Sequence, residues 1–330
     1  MTLDDDTSGM EDSTGRRRFQ QHLLGWFDLH KRDLPWRQDR DPYRIWLSEV
    51  MLQQTRVAAA TDHYERFLRR FPNIEKLAAA RESSVLAAWS GLGYYRRARM
   101  LHAAAKTIVK ELGGKFPGTA EELQALPGIG RYTAAAIASI AFDQPVAVVD
   151  GNVERVLQRV QGRNLAGEDL WRAAGDWLSR HRPGDFNQAM MELGATICLP
   201  RRPQCLLCTV SDLCATRGEL HAPGKGTRQK KREIHYTLVC RNGSIFLVRR
   251  SNAATLMPGM WELPEIAGVN GTTPVWLTLR HSITVTDYVV RVLRRPVPKG
   301  LDGQWVRKSR VTALPLTGLA RKILRAAKII

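Results

Sequence analysis

The stretch LPGIGRYTAAAIASIAF, residues 126–142, decides how the rest of this 330-residue chain is read. Gly128 and Gly130 stand where a backbone must turn tightly, and an alanine-rich run of helical texture follows at once. Such a turn leaves free amides at a helix N-terminus, where the dipole adds positive character. Free amides and dipole together hold a phosphate without touching a base. A plain Gly-rich turn between two helices is the simpler account, but the pattern LPG-x-G-x-x-T-A is more specific than that.

Outward from this hairpin the chain stays helical in pattern from Arg16 to about Leu220. VLAAW (85–89) and MLHAAAKTIVKEL (100–112) recur between Gly and Pro punctuation, and no strand-like alternation intervenes. Before it, MTLDDDTSGMEDSTG (1–15) is acidic and polar, unlike a signal peptide, and is expected to be a disordered tail. No apolar run approaches the ~18 residues of a membrane span. Residues 222–233 are Gly, Pro and charge, the composition of a linker. Beyond them the texture changes. HYTLVC, SIFLVRR, VWLTL and ITVTDYVVRVL are β-branched runs with turns between, and GLARKILRAAKII closes the chain as a basic amphipathic helix. The expectation is an all-α domain at 16–221 and an α+β domain at 234–330.

Charge points to the partner. The net formal charge is +18, with 50 Lys and Arg against 32 acids. Residues 236–330 carry fifteen basic residues against four acids. That asymmetry fits a polyanion, most often nucleic acid, better than a merely solubilising surface.

Four of the five cysteines, Cys198, Cys205, Cys208 and Cys214, form a C-x6-C-x2-C-x5-C cluster. Its loop also carries Pro200, Arg201, Arg202 and Pro203, so it is no core strand. Four thiols this close suit one inorganic centre, either iron–sulfur or zinc. Only Cys205 and Cys208 make a tight pair, whereas structural zinc favours two such knuckles. Free thiolates fit a reducing cytoplasm. The fifth cysteine, Cys240, is expected as a buried thiol on a strand.

Two carboxylates stand out. IWLSEVMLQQTRV (45–57) is apolar almost all round as a helix, so Glu49 is expected to be buried with a raised pKa, as a general acid requires. VDGNVERVLQRV (149–160) places Asp150 at a helix start, where backbone amides and the dipole favour the charged form. A buried structural Glu and a routine N-cap are the plainer accounts. Together the two resemble the split carboxylate pair that cleaves glycosidic bonds.

LPWR (34–37), WLSEVMLQQT (46–55), GLGYYRRAR (91–99), LPGIGRYTA (126–134), VDGNVERV (149–156) and FNQAMMELGATIC (186–198) occur in fixed order. With the cysteine spacing they resemble the MutY-type adenine DNA glycosylases of the endonuclease III, helix–hairpin–helix superfamily, over about residues 17–221. The resemblance implies a six-helix barrel at about 33–147 and a cluster subdomain from 16–32 and 148–221. It also implies a [4Fe-4S] cluster on the four cysteines, acting structurally and presenting Arg201 and Arg202 to phosphates. Lyases of the superfamily carry a nucleophilic lysine where this chain has Tyr132, so a monofunctional hydrolase is implied. Carried onto matching positions, Glu49 protonates adenine at N7 and Asp150 stabilises the oxocarbenium ion. Tyr132 bonds near Glu49, Asn152 orients Asp150 and water, and Gln188 touches the flipped base. Leu34, Trp36, Arg37, Leu52 and Val57 line the pocket, though Trp36, Leu52 and Val57 also suit ordinary core. Gln54 and Tyr94 wedge the duplex, with Gln53 beside them. The implied partner is double-stranded DNA with an adenine mispair, met by a monomer in the bacterial cytosol.

Residues 234–330 resemble the Nudix-like domain that reads 8-oxoguanine opposite the adenine. MPGMWELPEIAG (257–268) carries that likeness, without the Glu-rich helix of active pyrophosphatases. The family's Phe-Ser-His reading loop is replaced by Ile283, Thr284 and Val285, leaving the Thr284 hydroxyl as the retained contact. Two other functions remain open on residues alone: a lyase for damaged pyrimidines, which Tyr132 opposes, and a non-catalytic iron–sulfur lesion sensor, which the Glu49/Asp150 pair opposes.

Overall fold

The computed structural model describes residues 7–220, 230–267, 274–283, 286–298 and 300–330. Helices follow in order: α1 (Thr7–His30), α2 (Pro42–Leu52), α3 (Val57–Arg70), α4 (Ile74–Ala78), α5 (Glu82–Trp89), α6 (Tyr95–Glu111), α7 (Ala120–Gln124), α8 (Arg131–Phe142), α9 (Gly151–Gln161), α10 (Gly167–Trp177) and α11 (Pro183–Thr196). Strands come next: β1 (Lys230–Thr237), β2 (Cys240–Arg241), β3 (Ser244–Arg249), β4 (Trp261–Glu262), β5 (Leu277–Ile283), β6 (Thr286–Leu293) and β7 (Gln304–Arg307). Two helices end the chain, α12 (Lys308–Val311) and α13 (Gly318–Ala326). The described residues divide into two compact units, one from 1–54 and 107–223, the other from 55–106 and 224–330.

In the first unit, local chemistry sets each helix start. Asp41 caps α2 by accepting from the Tyr43 amide, and Pro42 fills the first turn where no amide is needed. Thr119 caps α7 through the Glu122 amide. Gly128 then turns the chain at φ +74°, a left-handed conformation that favours glycine, and α8 starts three residues later. The helix–hairpin–helix read from residues 126–142 is therefore present. Phe19, Leu23 and Phe27 of α1 pack with Val156, Leu157 and Leu193 into one core. α1 begins at Thr7, inside the segment expected as a tail; once Phe19 and Leu23 anchor it, each further turn adds hydrogen bonds without new nucleation.

In the second unit, β1 pairs with β6 in parallel (Ile234 opposite Val290), and β5 pairs with β6 antiparallel (Leu279 opposite Val290). β3 centres the other sheet, paired antiparallel with β2, β4 and β7. Ile245, Leu247, Val290 and Val292 meet Ile323 and Leu324 of α13 in the core between them. The α+β expectation holds. Helical residues of the same unit hold this region by polar bonds. Tyr95 Oη donates to the Leu316 carbonyl at 2.8 Å, and Arg321 Nε to Ser90 Oγ at 2.9 Å. Cys240 corrects the sequence reading. It sits on a strand, but β2 is a two-residue edge with both side chains exposed, so the thiol is not buried. Thr284 and Val285 lie outside the described residues.

Candidate active site

Glu49 sits mid-helix on α2 among Ile45, Trp46 and Val50, and only 6% of its surface is exposed. Burial drives its carboxyl from an ordinary 4.5 up to about 7. The Tyr132 hydrogen bond works against that rise, the charge of Asp150 adds to it, and the charge of Arg37 opposes it. Tyr132, two residues into α8, donates its hydroxyl to Glu49 Oε2 at 2.6 Å. Burial, then the neighbouring Glu49 charge, holds the Tyr132 phenol well above its usual range, so it remains a donor.

Asp150 is the N-cap of α9. Its Oδ1 accepts from the amides of Asn152 and Val153, each at 2.8 Å, while Asn152 Nδ2 donates to Oδ2 at 2.8 Å. Three donors on one carboxylate fix its orientation. Asn152 is fixed in turn. Arg155 Nη2 donates to its Oδ1 at 2.8 Å, to the Gly194 carbonyl at 2.7 Å, and Arg155 Nε to the Cys198 carbonyl at 2.8 Å. α11 approaches so closely here that a Cβ on Gly194 would lie 2.5 Å from Asn152 Cβ. Asn187, buried in α11, staples the strand of chain before Asp150. It accepts from the Val148 amide and donates to Ser139 Oγ and the Val146 carbonyl.

Trp36, Arg37 and Gln188 come together on the walls of a cleft of about 220 Å³, with Phe27, Ile140 and Asp185. Glu49 and Tyr132 do not line that cleft; Arg37 connects the two, as it lines the cleft and its charge reaches Glu49. Leu34 is buried, while Leu52 and Val57 are half-buried, none of them on the cleft wall. Gln53 donates to Thr133 Oγ1 at 3.3 Å, tying the end of α2 to α8. Gln54 and Tyr94 are exposed, and both hold positive φ, +56° and +47°. A side chain in that conformation is strained and must be held there by its surroundings. For Tyr94 the Arg97 guanidinium lies 5.4 Å from its ring centre and 5.5 Å from that of Trp89.

All four clustered cysteines line one small cavity with Arg159, Pro203 and Arg217. Among the described residues no group of three His, Cys, Asp or Glu is placed to hold a metal ion. The wall carries donors aimed at the thiol sulfurs. The buried Arg159 points Nη1 at Cys198 Sγ at 3.3 Å, and the Arg217 amide points at Cys214 Sγ at 3.5 Å. Donors aimed at sulfur favour thiolates. Burial pushes the Cys208 thiol up to about 11, so a thiolate there calls for a positive centre to displace the proton.

Sequence reasoning missed Asn187, Arg155 and, above all, Glu192. The Glu192 side chain is 1% exposed and accepts from Arg32 and Arg37. The signal that found Glu49, an acid inside an apolar helical run, is equally present in FNQAMMELGATIC.

Comparison with known proteins fits this geometry. The family model for the HhH-GPD superfamily base excision DNA repair protein matches residues 47–174. An adenine DNA glycosylase of Mus musculus is 42% identical, over 75% of this chain and 60% of its own length. One of Schizosaccharomyces pombe is 31% identical, over 76% of this chain and 69% of its own. Among solved structures, a thermostable thymine-DNA glycosylase superposes with a TM-score of 0.59 at 31% identity, covering 62% of this chain and 98% of that one. The chain thus spans about 60% of the mouse relative.

Proposed function

Since the chain belongs to the adenine DNA glycosylase family, we propose that it hydrolyses the N-glycosidic bond of adenine mispaired with 8-oxoguanine or guanine, as a monofunctional enzyme of base excision repair. One observation carries the reading: a buried carboxyl tuned to about 7 stands beside a tyrosine hydroxyl and within the field of an N-cap aspartate. A group that is half protonated near neutral pH serves as a general acid. Glu49 delivers its proton to N7 of the extrahelical adenine, so the electron pair of the C1′–N9 bond leaves on a neutral base. Asp150, held by three donors, faces the developing positive charge at C1′, and water completes the hydrolysis with Asn152 orienting both. Tyr132 supplies no amine, so no Schiff base forms. Trp36, Arg37 and Gln188 offer a stacking face and polar edges for the base. The strained Gln54 and Tyr94 suit side chains that enter the duplex.

Duplex DNA is the partner that the basic surface and the hairpin amides favour. The four cysteines would hold a [4Fe-4S] cluster that fastens the loop carrying Arg201 and Arg202; hydrolysis requires no electrons from it. In the second unit the one mixed and one antiparallel sheet and the WELP segment fit a Nudix-like binding domain.

The test is single-turnover cleavage of duplexes with A opposite 8-oxoguanine, G, C or T, followed by alkali. Fast release opposite 8-oxoguanine and G is expected. Absence of release from every duplex, or a covalent adduct trapped by borohydride, overturns the reading.

A further inference from the structure

Glu192 is a buried carboxylate with no part in the chemistry above, and its surroundings are specific. It sits on α11 with 1% of its side chain exposed. Arg32 reaches it three times, Nε to Oε1 at 2.6 Å, Nη2 to Oε2 at 2.9 Å and its backbone amide to Oε1 at 3.3 Å. Arg37 reaches it once, Nη2 to Oε2 at 2.9 Å. Arg37 is clamped on its other sides: Nη1 donates to the Arg32 carbonyl at 3.1 Å, and the guanidinium lies 5.4 Å from the Phe27 ring centre. Its side chain is 13% exposed, so the charge is poorly screened.

That charge acts on the reacting acid, as the smallest of four influences, and lowers its pKa. The groups facing Glu49 are Tyr132 from α8, Asp150 from the start of α9, and Arg37 from the Pro35–Arg37 turn. Arg37 is the cation among them. A bare guanidinium there favours ionised Glu49, which cannot donate a proton. A carboxylate bonded to that guanidinium carries the opposite charge and works against its pull on Glu49.

We propose that Glu192 is a positioning residue for the reaction: it fixes the Arg37 guanidinium on the cleft wall and offsets its charge, so that Glu49 stays protonated. The inference rests on the glycosylase reading. Glu192 touches no reacting atom and acts through Arg37 alone.

The sign follows. Activity that needs protonated Glu49 falls as pH rises through its pKa. Removing the Glu192 charge leaves Arg37 uncompensated, lowers that pKa and moves the falling limb to lower pH. Removing Arg37 does the reverse.

The experiment is the pH dependence of single-turnover adenine release by the full chain, comparing wild type, Glu192→Gln, Arg37→Gln and the double variant. Glu192→Gln should move the basic limb down and Arg37→Gln should move it up, each by roughly a few tenths of a pH unit, because Arg37 is the smallest of the four influences on Glu49. The double variant should return near wild type, whatever its absolute rate. A limb unmoved or raised in Glu192→Gln overturns the proposal. So does an unmoved limb in Arg37→Gln, which keeps the test decisive if Glu192→Gln fails to fold. A carbon-13 titration of the Glu49 carboxyl, assigned by its absence in Glu49→Gln, reads the same shifts without turnover. Failure of the glycosylase reading would show as no base release; failure of this one, as coincident titrations.

Discussion

Two stretches of helix, the C-terminal half of α2 and that of α11, each bury one glutamate, yet the two acids end in opposite states. Glu49 and Glu192 are 6% and 1% exposed. Burial raises Glu49 to about 7, with a neutral tyrosine hydroxyl as its bonded partner. Burial pushes Glu192 up as well, but two bonded guanidiniums outweigh it and the carboxyl falls below its usual value. Depth alone does not set the charge of a buried acid; the partner it is given does. One acid is thereby kept able to release a proton, the other is locked as an anion.

The largest effect that tests this contrast is on rate. Glu49→Gln should keep duplex binding and lose about 10²–10⁴-fold in adenine release, the contribution typical of a general acid. Near-wild-type turnover would remove Glu49 from that role. Next is stability. Glu192→Ala strands the mostly buried Arg37 guanidinium, while the more exposed Arg32 can turn to water, and should cost about 2–4 kcal/mol in denaturant unfolding, whereas Glu49→Gln should not destabilise at neutral pH. Equal losses would erase the distinction.

The pH dependence of stability is expected to split the pair again. For Glu49 the folded value lies above the unfolded one, so its contribution is complete below the ordinary 4.5 and is lost as pH rises towards about 7. Glu49→Gln should abolish that loss, worth roughly 3 kcal/mol, visible as a higher Tm at pH 8 relative to pH 5. For Glu192 the sign reverses: stability is present above its ordinary value and lost as pH falls through the depressed one. The smallest effect belongs to Tyr132→Phe. Its hydrogen bond holds Glu49 down, so removing it should move the basic limb of the rate profile up by about half a pH unit. A downward shift would contradict the bonding seen here.

These same residues mark how far the sequence could be read. The hairpin at 126–142, the buried acid on α2 and the N-cap at Asp150 are local patterns, set by residues a turn or less apart, and they stand where the pattern places them. Glu192 was legible by the rule that found Glu49, but its meaning was not. Arg32 and Arg37 lie 160 and 155 residues away, and no local pattern announces an ion pair of that span. Asn187 was hidden for the same reason: its three bonds go to residues 39 to 48 positions earlier. Cys240 was misjudged because β-branched neighbours predict a strand but not whether that strand lies at an edge.

Gly194 has one more consequence, a mechanical one. Its bare backbone lets α11 rest against Asn152 so closely that a single added carbon would collide with it. Surfaces in such contact move together, because neither can advance without displacing the other. Gln188 lies on the same helix as Gly194, and Asn152 grips Asp150. On the proposed reading, a load on Gln188 would pass along α11 to Asn152, and through it to Asp150, as along one rigid lever.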